Sequence, residues 1–94
     1  MDYVELNNLF CDGEDAFLDH KDYRLALECF SEVLIKALDR RKDPDMAALA
    51  IDAYEYIGTL YSCEDEFVWE ESSRLINMYQ PILNELKKGD IPPI

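Results

Sequence analysis

Basic residues are scarce in this sequence. Nine lysines and arginines stand against 21 aspartates and glutamates, for a formal charge of −12. Binding to a polyphosphate backbone draws on Lys and Arg, so no nucleic-acid partner is expected. Docking on anionic lipid is opposed on the same ground, so no membrane partner is expected either. Histidine occurs once, as His20. It stands beside Asp19 and Asp22 at an expected helix end, where a positive charge is favourable. No serine or cysteine has a histidine patterned with it for nucleophilic catalysis. Cys11, Cys29 and Cys63 are odd in number and lack C-x2-C spacing. That pattern opposes structural zinc and a disulfide framework, and fits free thiols in a reducing compartment. Gly13, Gly58 and Gly89 are too few and too far apart for a phosphate loop. Asp12, Glu14, Asp15 and Asp19 cluster, but with no calcium-loop glycine register and no E-x-x-H pair. No segment approaches the ~18 apolar residues of a membrane span. Asp12, Glu14 and Asp15 interrupt any early apolar run of signal-peptide type. These absences predict a soluble intracellular protein, cytoplasmic or nuclear, that is not an enzyme and carries no cofactor and no metal.

What is present is helical periodicity. Strand signals are essentially missing, and apolar residues recur at three- and four-residue spacing. The pattern predicts an all-α domain over residues 1–89 with an extended tail at 90–94. The first helix is expected from Tyr3 to His20, with Asp2 as a cap. The second runs from Tyr23 to Arg40, capped by Asp22 and ending in Arg40, Arg41 and Lys42. Asp43–Pro44 is a favoured cap and first position for the third, which runs to Ser62. The fourth begins near Glu64–Asp65–Glu66 and reaches residue 80. Pro81 should end or kink it, with an extension to residue 88 and Gly89 as the stop.

The stretch Ala53–Tyr61, AYEYIGTLY, organises this reading. Tyr54, Ile57, Gly58 and Tyr61 would share one helix face. A glycine inside a helix costs roughly 1 kcal/mol against alanine, so Gly58 predicts a neighbouring helix packed very close. Phe67, Trp69, Tyr79 and Tyr54 are expected in the core, with an exposed anchor for a partner as the alternative.

The two halves of the chain echo each other. Phe10, Gly13 and Phe17 parallel Tyr54, Ile57 and Tyr61. Together with Ala26 and Phe30, and with Lys21–Asp22–Tyr23 as the turn, these residues resemble the tetratricopeptide repeat, W-x2-L-G-x2-Y followed by A-x3-F. Tyr54 replaces the tryptophan, Glu14 stands at the first unit's glycine, and Ser72 with Ile76 only roughly imitates A-x3-F. The stretch Ile35 to Ala48 is longer than the standard repeat. The resemblance covers Leu9 to Tyr79 and implies two antiparallel helix–turn–helix hairpins, four helices in all. An ordinary four-helix bundle is the competing architecture. A narrower resemblance, over Ala26 to Tyr61, is to the acidic histone chaperones of the nuclear autoantigenic sperm protein group.

In that family the first helix of each hairpin lines a concave groove. The groove positions correspond here to Asn8, Cys11, Asp12, Asp15 and Asp19, and to Asp52, Glu55, Tyr56 and Thr59. The lysines that clamp a terminal carboxylate in the family are missing. Acids in their place imply a basic protein or peptide as partner, held by charge-assisted bonds. Asp12, Asp15, Asp19, Asp52, Glu55, Tyr56 and Thr59 are the candidate partner-binding residues, in an adaptor or chaperone role. The plain alternative is that these acids are two solvated helix faces. Two other functions stay open. One is a small acidic inhibitor or immunity-type protein that caps a basic enzyme through Glu64 to Glu71. The other is an obligate homo-oligomer, such as a homodimer, joined through the fourth helix and tail.

Overall fold

A computed structural model describes residues 2–88. Four helices account for it: α1 (Tyr3–Leu18), α2 (Tyr23–Leu38), α3 (Pro44–Leu60) and α4 (Glu66–Lys87). Each starts at an aspartate whose carboxylate accepts from the first free amides. Asp2 forms a reciprocal capping box with Glu5. Asp22 accepts from Leu25 N–H at 3.2 Å, and Asp43 from Asp45 N–H at 2.9 Å with Pro44 opening the helix. Asp65 accepts from Phe67 N–H at 3.0 Å and Val68 N–H at 3.4 Å. The first turn is tight. Lys21 adopts a left-handed backbone with φ 52°, and Asp22 N–H returns to the Ala16 carbonyl at 2.8 Å.

All four helix ends depart from expectation. α1 stops at Leu18, α2 at Leu38 and α3 at Leu60, each two residues early, because Asp19, Asp39 and Tyr61 serve as C-caps and the chain turns at once. α4 passes through Pro81 to Lys87 without a break. Proline withholds one hydrogen bond from the carbonyl four residues back, here Asn77. Asn77 and Pro81 are both exposed, so the loss falls on the solvent side of the helix, where it is best tolerated. Gly89 and the expected tail lie outside the described residues.

The helices pack in chain order: α1 on α2, α2 on α3, α3 on α4. Smaller contacts join α1 to α3 and α2 to α4. Among the described residues α1 does not pack on α4, a contact that a closed square bundle would make. The result is two antiparallel hairpins laid side by side. α2 and α3 supply the centre through Phe30, Val33, Leu34, Ala50, Ala53 and Ile57. Leu6 from α1 and Val68 and Leu83 from α4 close it on either side.

The close approach falls at Gly13, not at Gly58. A methyl group on Gly13 would lie 2.8 Å from the Phe30 ring and 3.1 Å from Cys29 Cβ. Around Gly58 nothing among the described residues comes within 4 Å of such a methyl, and the residue is exposed. The expected shared face of AYEYIGTLY is likewise redistributed. Ile57 is buried and Tyr54 half-buried, while Gly58 and Tyr61 face outward. Phe67 (52 % exposed) and Trp69 (44 %) also sit outside the core expected to hold them.

Candidate partner-binding surface

The periodic faces of α1 and α3 diverge around their buried stripes, and this divides the acidic residues between two valleys. Phe10, Glu14 and Phe17 lie on the flank of α1 that meets α3, whereas Leu9, Asp12 and Ala16 lie on the flank that meets α2.

The α1/α2 valley is the larger of the two, about 570 Å³. Leu9, Ala16, Leu25 and Cys29 give it an apolar floor. Asp12 and Asp15 from α1, and Glu28 and Glu32 from α2, form its rim, with His20 at one end. The carboxylates converge on the floor closely enough to act on it. The Cys29 thiol is pushed up first by burial, then by Asp12, Glu28 and Glu32. A thiol so held stays protonated and unreactive at neutral pH. Among the described residues no lysine or arginine pairs with Asp12, Asp15 or Glu28, and Glu32 has only a 3.9 Å contact with Lys36.

The α1/α3 cleft is smaller, about 320 Å³, and is lined by Phe10, Glu14, Asp52, Glu55, Tyr56 and Thr59. Its acids are largely engaged. Glu55 Oε1 meets Lys87 Nζ at 2.9 Å, and that ammonium also lies 5.3 Å from the Tyr54 ring centroid. Tyr56 O–H donates to Glu14 Oε2 at 2.7 Å. The ring of Tyr56 stacks on Phe30 at 4.5 Å and 5°, and meets Phe10 and Phe17 edge-on at 5.6 and 5.7 Å. Burial, then the bond to Glu14, push its hydroxyl up to about 12. Tyr56 therefore joins the two hairpins from within. Thr59 Oγ1 is turned onto the Glu55 carbonyl at 3.2 Å.

The seven residues singled out from the sequence are thus not brought together. Asp12 and Asp15 share the α1/α2 valley; Asp52, Glu55, Tyr56 and Thr59 share the α1/α3 cleft. Asp19 caps α1 in the open, and Asn8 and Cys11 are also exposed. Sequence reasoning missed Glu28 and Glu32, which complete the rim. Their four-residue spacing on α2 was the available signal, because it places both on one helix face. It missed Glu14 as the partner of Tyr56, for which nothing in the sequence gives a sign.

No protein-family model matches this sequence, and neither a curated protein nor a solved structure matches the chain.

Proposed function

We propose that this chain is a non-enzymatic protein-interaction module, an adaptor or chaperone, whose α1/α2 valley docks a basic amphipathic segment of another protein. The observation that carries the reading is the rim of Asp12, Asp15, Glu28 and Glu32 around an apolar floor, with no lysine or arginine within 4 Å of three of the four among the described residues. Leu9, Leu25 and Ala16 would take the apolar side of the segment, and the rim would take its lysines and arginines. The net charge of −12 would steer such a partner in. The open stacking of two hairpins supports a tetratricopeptide-like ancestry, and the acidic surface supports histones as one class of basic partner. Both fit the proposal without being required by it.

The test is titration calorimetry with a lysine- and leucine-patterned helical peptide and with a core histone, each at low and high salt. Asp15→Lys with Glu28→Lys reverses two rim charges. Loss of binding, and of its salt dependence, is the expected result. Binding that survives the double reversal would remove the valley from the account.

A second reading rests on the start of α4. Phe67 and Trp69 stand exposed among Glu64, Glu66 and Glu70, a pairing of aromatic anchors and acids suited to capping a basic enzyme. Glu66→Gln with Glu70→Gln would weaken that interaction and leave the valley's ligand untouched.

A further inference from the structure

The outward face of α4 is chemically unlike the rest of this molecule. Between Glu71 and Glu85 the chain carries no acid, although acids make up 21 of 94 residues. Trp69, Ser73, Asn77, Gln80 and Asn84 recur at the spacing that sets them along one stripe. Ser73, Ile76, Asn77 and Gln80 line a shallow cleft of about 340 Å³ together with Tyr61. At its end the Tyr61 and Trp69 rings lie 5.8 Å apart, both exposed. The other four clefts described all contain two or more carboxylates; this one contains none.

We propose that this face pairs with the same face of a second copy of the chain, in an isologous dimer. Two facts select that occupant. First, the cleft itself is lined by no carboxylate for a basic partner to meet, the acids Glu66 and Glu70 being grouped around Trp69 at the start of α4. Two copies, each of charge −12, repel one another at every acidic face, and this uncharged cleft is where they can approach. Second, serine hydroxyls and asparagine or glutamine amides each both donate and accept, so such a surface is complementary to itself across a two-fold axis. A carboxylate surface only accepts and cannot be. Tyr61 and Trp69 would provide the buried aromatic anchors, and the amides would fix the register.

The experiment is sedimentation equilibrium on the full chain across micromolar concentrations, with Trp69 emission recorded in parallel. Trp69 is the sole tryptophan, so its emission reports this face alone. A reversible dimer is expected, with emission moving to shorter wavelength as it forms. Raising salt from about 0.1 M to about 1 M shortens the screening length from about 10 to about 3 Å, so the dimer should tighten. Binding of a basic ligand weakens over the same range, which keeps this outcome separate from that of the valley. Asn77→Asp with Gln80→Glu should weaken the dimer by about tenfold or more while helicity and melting hold. Asn8→Asp, an exposed site on α1, should leave it nearly unchanged. A chain that stays monomeric at the highest concentration in high salt would overturn the proposal. So would a dimer indifferent to the Asn77 and Gln80 changes, or one that Asn8→Asp disrupts equally. A chain that dimerises only when cut after Lys88 would overturn it too, by showing that its own last residues cover this face.

Discussion

Tyr56 and Glu14 are 42 positions apart in the chain, yet the tyrosine hydroxyl donates to the carboxylate at 2.7 Å. This bond and the stacked ring of Tyr56 on Phe30 tie the first hairpin to the second. Tyr56→Phe keeps the rings and removes the bond, and should cost about 1 kcal/mol. Tyr56→Ala removes both and should cost about 3 kcal/mol. Chemical denaturation of the two variants would measure the split.

The same hydroxyl gives a pH prediction. Its value in the fold, about 12, exceeds that of an ordinary tyrosine, about 10, because burial and Glu14 disfavour the phenolate. The stabilisation is complete below about pH 10 and is lost as pH rises through about 12. Burial raises Tyr54 as well, so ultraviolet titration should show a late-ionising fraction that Tyr56→Phe reduces and does not abolish.

The two described glycines should respond to alanine in opposite directions. Gly13→Ala drives a methyl against the Phe30 ring and Cys29 Cβ, and should destabilise by about 1–3 kcal/mol. Gly58→Ala meets open space on an exposed turn and should stabilise by about 0.5–1 kcal/mol. Thermal melts of the pair would reverse the assignment if Gly58→Ala proved the harmful one.

Ser72 is fully buried in α4, and its hydroxyl has no hydrogen-bond partner among the described residues. A buried hydroxyl without a partner is a desolvation cost that alanine would relieve, with better helix propensity as well. Ser72→Ala should raise stability by about 1 kcal/mol. A clear loss on denaturation would mean that the hydroxyl has a partner in solution.

Arg24 Nε and Nη2 meet the Asp65 carboxylate at 2.9 and 3.3 Å, and the guanidinium lies over the Phe67 ring at 5.1 Å. The hydrogen bond from Arg24 is the main cause that holds the Asp65 carboxyl below the usual range, helped by the Val68 and Phe67 amides. Its contribution is present above the ordinary carboxylate range, about 3.9, and is lost as pH falls below it. Asparagine is as good a helix cap as aspartate, so Asp65→Asn keeps the start of α4 and isolates the ion pair. The variant should melt slightly below the parent at neutral pH, and the gap should close in acid. The pair is exposed to solvent, which screens it, so the effect should be small.

Helix starts were legible because each is written locally. Asp2, Asp22, Asp43–Pro44 and Asp65 are short-range signals, and the structure uses all four as caps. Helix ends were less so, since where a helix stops depends on how soon the next one must begin. The choice among Tyr54, Tyr56 and Tyr61 was not legible. All three lie within a turn or two of the buried stripe, and only the position of α1 turns Tyr56 inward and leaves Tyr61 outside. Gly58 misleads for the same reason. A helical glycine signals close packing only if a neighbour is present, and the neighbour came to Gly13. The acids were legible as a class but not as a site, because two adjoining flanks of α1 face two different valleys.

Because each helix rests chiefly on the one before it, this chain closes few long loops as it folds. Low contact order of this kind goes with folding in microseconds to milliseconds. It also sets an order of assembly. The first hairpin and α3 complete their mutual contacts before α4 is required, so a growing chain can settle its first three helices while the fourth is still being made. In the finished protein the order runs backwards. α4 docks mainly on α3, with a smaller contact to α2 and an exposed ion pair at its start. Its amides should exchange with solvent before those of α2, making the last helix the first to open.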